Sequence, residues 1–154
     1  MKQFRRVICL LVFAIWFGGF TFYISVVVPT GTSVLGSAKA QGFITQQVTH
    51  QLNLITAIAC AVMLWEVLAG FSIQRKRTRR FAIGIVAAIF CIMLLLIFVH
   101  TKLDGLLDFE NRTVRQKSVF YGWHRVYLWA STIQWVLGIV FGWLLVSSWS
   151  QKES

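Results

Sequence analysis

Apolar and polar positions fall in long blocks along this chain rather than in a short alternation. Apolar runs cover about Val7–Val28, Leu52–Ile73, Phe81–Val99 and Val126–Val146, with polar stretches between them. A helix needs roughly 20 apolar residues to cross a hydrocarbon core roughly 30 Å thick. In lipid a helix also satisfies its own backbone groups, so helix is the expected form of each run. The pattern predicts an all-α, four-helix transmembrane bundle built as one membrane domain over residues 1–154. The composition agrees: 57% of the 154 residues are hydrophobic, and the mean hydropathy is +0.70. Soluble domains hold roughly 45–50% apolar residues.

The boundaries follow from local signals. Pro29-Thr30-Gly31-Thr32 predicts the end of the first helix and a turn. Gln41–Asn53 and Asn111–Trp123 are polar but poor in helix breakers, so the second and fourth helices are expected to project past the membrane as helical extensions. Arg5-Arg6, an apolar run and Ala38-Lys39-Ala40 resemble a cleavable leader. The run of about 22 residues is longer than the roughly 7–15 of a leader, which predicts an uncleaved helix. Small residues let helices approach in lipid. They mark one face on each span: Gly18, Gly19 and Ser25; Ala57, Cys60 and Ala61; Gly84, Ala87, Ala88 and Cys91; Ser131, Gly138 and Gly142. The last two form a GxxxG, read as an internal contact. Trp123, Tyr127, Trp129, Trp143 and Trp149 fit an aromatic belt at the ends of the fourth span.

Charge sets the expected orientation. The net charge is +10. Lys2, Arg5 and Arg6 precede the first span, and Arg75, Lys76, Arg77, Arg79 and Arg80 fill the short second turn. Short loops rich in Lys and Arg stay cytoplasmic. Both termini and the 74–80 turn are then cytoplasmic, and the 29–49 and 100–122 loops external, in a plasma (inner) membrane. Lys102, Arg112, Arg115 and Lys117 weigh against this, with Asp104, Asp108 and Glu110 among them as a solvated acidic face. Contact with lipid heads accounts for the basic clusters, so the lipid bilayer is the expected partner and nucleic acid is not. A second copy of the chain and another membrane protein both remain open as partners. Asn111-Arg112-Thr113 matches a glycosylation sequon, a triplet common by chance. Cys9, Cys60 and Cys91 lie inside spans without CxxC spacing and read as small apolar residues.

Few residues offer chemistry. His50, His100 and His124 all fall at one end of the bundle. Three imidazoles at one depth suit a metal ion or haem. At 100° per residue, His50 shares a face with Asn53, Ala57 and Ala61, and His124 with Tyr127, Ser131 and Gly138. That predicts a His50/His124 pair as cofactor ligands with Asn53 as a supporting group. His100 falls opposite the small face of the third span and is a doubtful third ligand. Interfacial hydrogen bonding without a cofactor is the competing expectation for all three, and the favoured one. Glu66 is the acidic residue inside a span. A carboxylate there is costly, so it pairs with a base or serves as a proton or cation site. Pairing with Arg5, Arg6 or Arg79 is favoured. Gln134, mid-span, is expected to bond across helices or line a cavity. No nucleophile–base arrangement or phosphate loop is present.

Three stretches carry a resemblance: Trp16-Phe17-Gly18-Gly19-Phe20 with Val28-Pro29-Thr30-Gly31; Gly42 to Asn53; and Phe120-Tyr121-Gly122-Trp123-His124. Together they resemble the transmembrane protein 205-like family of small four-helix membrane proteins. The resemblance implies four spans and makes His50, Asn53 and His124 the matching polar positions. It implies no reaction. The layout is more loosely similar to the copper-resistance D-type and membrane protoporphyrinogen-oxidase groups, but the first span has no His and no span has a methionine-rich path. The expected function is a non-enzymatic membrane role, with a haem- or metal-binding redox protein using His50 and His124 as the alternative. A proton-linked carrier centred on Glu66 is the weaker alternative.

Overall fold

The computed structural model describes residues 2–70, 76–108, 113–114 and 116–150. The end of the second apolar run beyond Gly70, Arg75, Glu110, the Asn111-Arg112 part of the sequon, Arg115 and the last four residues lie outside them. The elements are α1 (Lys2–Phe22), a π-helical turn (Tyr23–Val27), α2 (Val28–Leu35), α3 (Ala38–Gly70), α4 (Lys76–Asp104) and α5 (Lys117–Ser150). A two-residue antiparallel pair, Leu107–Asp108 with Thr113–Val114, closes the α4–α5 connection. Four helical rods result: Lys2–Leu35, α3, α4 and α5. All four are long and apolar enough to cross a membrane. The chain is an all-α, multi-pass integral membrane protein.

The rods outrun the bilayer. At 1.5 Å per residue the 33 residues of α3 span roughly 50 Å, against a hydrocarbon core of roughly 30 Å. The extension expected before the second span is therefore present, beginning at Ala38. The one before the fourth span begins at Lys117.

Pro29 does not end the first helix. The rod continues to Leu35 and stops at Gly36, whose φ of 61° is the left-handed conformation suited to glycine at a helix end. A proline inside an α-helix removes one hydrogen bond and clashes with the carbonyl four residues back. Here the preceding turn widens instead. The Val28 N–H donates to the Tyr23 carbonyl, five residues back, and Pro29 then sits in the first turn of α2, where its missing N–H costs little.

Side-chain packing divides the bundle in two. The half that holds the chain termini has a continuous apolar core. Cys9 and Trp16 of α1, Ala59, Cys60, Met63 and Val67 of α3, Ala82, Ile85, Val86 and Ile89 of α4, and Phe141, Leu144 and Leu145 of α5 are buried together. Gly138 and Gly142 admit α1: a Cβ on Gly138 would stand 2.8 Å from the Phe17 ring, and one on Gly142 3.1 Å from Phe13. The GxxxG is thus an internal contact. Phe17 stacks on Trp135, and Trp135 Nε1 donates to Thr21 Oγ1 at 2.9 Å. Trp16 Nε1 donates to Thr56 Oγ1 at 3.0 Å.

Elsewhere, Cys60 apart, most of the small residues expected inside do not mark the interior. Gly18, Gly19, Ala61, Gly84, Ala87 and Cys91 are exposed. The interior faces of α1, α3 and α4 mix bulky side chains such as Trp16, Met63, Ile85 and Ile89 with the small residues Cys9, Ala59, Cys60 and Ala82. Trp129 and Trp143 face outward as belt residues, whereas Tyr127 and Trp149 turn inward.

Candidate functional site

The half of the bundle away from the termini holds a cavity of about 370 Å³ among all four rods. The π turn and α2 present Tyr23, Ile24, Val28 and Thr32 to it. α3 presents Gln41, Thr45, Gln46, Thr49 and Leu52, α4 presents His100, Leu103 and Asp104, and α5 presents Phe120, His124, Tyr127, Leu128 and Ser131. The volume lies within the roughly 300–1,000 Å³ of small-molecule sites. Ile24 and Leu128 line the cavity and are also about half exposed, at 46% and 52%, so it reaches the bundle surface between the π turn and α5, at the edge of the first and fourth apolar runs.

One carboxylate organises the polar wall. Asp104 Oδ1 accepts a hydrogen bond from Gln46 Nε2 at 2.5 Å, and Asp104 Oδ2 lies 3.0 Å from His100 Nδ1, one helical turn back. A carboxylate on Nδ1 fixes the ring's orientation and leaves Nε2 available to a ligand. His100 Nε2 is buried without a partner, as are Gln46 Oε1, Gln41 Nε2 and Tyr23 Oη. The Ser131 hydroxyl also lacks a partner of good geometry, although the Tyr127 phenol stands beside it. Buried polar atoms are normally satisfied. Among the described residues, one further side-chain atom is orphaned in this way, Arg79 Nε. The unmet hydrogen-bonding capacity of the fold is concentrated in this cavity.

The expected His50/His124 pair is not assembled. His50 is exposed, and neither it nor the half-buried Asn53 lines the cavity. His124 lines it and stacks on Phe120 with ring centroids 6.0 Å apart and planes 7° apart. His100, expected to point away, faces inward with Met93, Leu96 and Leu103. The cause is the phase assigned to each helix. The buried face of α3 runs through Thr49, Thr56, Ala59, Met63 and Glu66, one residue round from the small face. Glu66 carried the missing signal: it lies roughly 160° from His50 at 100° per residue, so a buried Glu66 turns His50 outward. Among the described residues no group of three or more His, Cys, Asp and Glu stands together as a metal site.

Glu66 sits at the other end of the bundle, 1% exposed, as a partner of Arg5. Arg5 Nε donates to Oε2 at 2.5 Å, and Trp149 Nε1 donates to Oε1 at 3.2 Å. Arg6 lies over the Trp149 ring at 5.5 Å. Gly70 leaves room for the pair, since a Cβ there would land on the Glu66 carboxylate. Arg79 donates instead to the Leu68 carbonyl. Gln134 is buried and bonds across helices, Nε2 to the Ile89 carbonyl at 3.4 Å.

The chain matches no family profile, no curated protein and no solved structure.

Proposed function

We propose that this protein is a non-enzymatic membrane binding protein whose cavity takes a small amphipathic molecule from the bilayer. The observation that carries this is the set of unpartnered atoms on Tyr23, Gln41, Gln46 and His100 around one cavity that reaches the bundle surface. A buried orphan donor or acceptor costs roughly 1–3 kcal/mol, which a ligand's polar head recovers. The apolar wall suits the rest of the molecule. Membership of the transmembrane protein 205-like family and a plasma-membrane setting with both termini cytoplasmic belong to the same proposal. The basic residues Arg77, Arg79 and Arg80, on the same side as the termini, support that orientation.

Haem or metal ligation by His50 and His124 has less support, because His50 faces outward. A carrier centred on Glu66 has less support because Arg5 and Trp149 occupy both carboxylate oxygens.

The test is mass spectrometry of small molecules that co-purify with the full chain, compared with a Gly42→Trp variant. Gly42 lines the cavity, and a Cβ there meets nothing within 4 Å, so the indole has room to fill the space. A near-stoichiometric amphiphile lost in the variant is expected. No enrichment in the wild type, or equal enrichment in both, overturns the proposal.

A further inference from the structure

We infer that the occupant is an isoprenoid quinone or quinol, its ring in the cavity and its tail leaving between the π turn and α5; this rests on the binding role proposed above. Charge narrows the class first. Among the described residues no Lys or Arg lines the cavity, so a phosphate or carboxylate head would meet no cation among them and would face Asp104. A cationic head is equally poorly served, because Asp104 already holds Gln46 and His100. A neutral head bearing oxygens remains.

Shape narrows it further. Phe20, Tyr23, Phe120 and Tyr127 line the cavity with rings, and the His124 imidazole lies parallel to Phe120, which suits a flat ring. The orphaned polar groups stand on two sides. Gln46 and His100 come from α3 and α4, whereas Tyr23 comes from the π turn, Ser131, beside the Tyr127 phenol, from α5, and the Gln41 carboxamide lies against Gly31 of α2. Two oxygens across a ring from one another match that division. Gln41 Nε2 and the hydroxyls of Tyr23 and Ser131 donate to quinone carbonyls. Gln46 Oε1 and His100 Nε2, its Nδ1 turned to Asp104, accept from quinol hydroxyls. The same walls therefore serve both oxidation states. The tail has an apolar exit past Ile24 and Leu128.

The test uses the full chain in phosphatidylcholine nanodiscs, titrated with decylubiquinone and separately with decylubiquinol, with bound ligand counted by native mass spectrometry. One molecule per chain is expected, with the two forms within about tenfold of each other. Tyr23→Phe and His100→Gln each weaken binding about tenfold, the loss of one good hydrogen bond, and His50→Ala leaves it unchanged. Should His100→Gln not fold, Tyr23→Phe alone decides the matter, since it removes only a hydroxyl. If palmitate or lysophosphatidylcholine fills the cavity equally well and displaces decylubiquinone, the quinone assignment falls while the binding role stands. If no amphiphile binds and Gly42→Trp changes nothing that co-purifies, both fall.

Discussion

Arg5 and Glu66 are 61 residues apart in sequence, and their side chains meet at 2.5 Å inside the bundle. The pair joins α1 to α3 at the end where both termini lie. Breaking one half of a buried ion pair strands the other charge and costs roughly 3–5 kcal/mol. Arg5→Ala is therefore expected to lower the thermal unfolding midpoint in detergent far more than Arg6→Ala. An Arg5→Met/Glu66→Met double variant recovers most of the loss. Equal midpoints for Arg5→Ala and wild type would remove the pair from the account of stability.

Gly138 fixes how closely α5 approaches α1. Gly138→Leu drives a branched side chain into Phe17 and Trp16, an overpacking that costs about 1–3 kcal/mol. Spin labels on exposed positions of α1 and α5 should report a longer separation, by pulsed electron resonance, than in wild type. Gly18→Leu, facing open space, should leave both distance and stability unchanged.

Pro29 and the π turn are coupled. Pro29→Ala restores a backbone donor, and an all-α rod becomes available with a gain of up to about 3 kcal/mol in helix propensity. Loss of the extra residue in that turn rotates the helix beyond it by roughly 100° relative to the part before. Amide exchange across 23–29 should slow in Pro29→Ala, while Tyr23, or Thr32 with Gly31 against Gln41, leaves its place. Ligand capture should fall although the helix is more regular.

Asp104 is expected to matter through what it holds. Asp104→Leu frees both Gln46 and His100, with a loss of about 1–3 kcal/mol, since the hydrogen bonds are to a charged group. His50→Ala should shift the melting temperature little, because that ring is exposed. A comparison of the two variants by thermal melting separates the histidine that is built into the site from the one that is not.

The four rods were legible because block hydrophobicity is a strong signal that later packing does not alter. The Glu66–Arg5 pair was legible for a similar reason: a carboxylate in lipid has few places to go. Rotation about each helix axis was harder to read. Small residues locate the interface on α5, where Gly138 and Gly142 admit Phe17 and Phe13. They misplace it on α3 and α4, where Met63, Ile89 and Met93 fill the interior, and the histidines shift with that error. Pro29 reads as a terminator because its rescue, a Val28 N–H bonded five residues back, leaves no mark in composition.

In the proposed binding role, the gap between the π turn and α5 at Ile24 and Leu128 serves as a sideways entrance from the acyl chains. A molecule entering there arrives by diffusion in two dimensions, and the concentration that sets its occupancy is its mole fraction in the leaflet. A site with modest intrinsic affinity is then well filled by any lipid-soluble compound that makes up even a few per cent of the membrane. Exchange follows the composition and lateral pressure of the bilayer, and dilution of the surrounding buffer leaves it untouched.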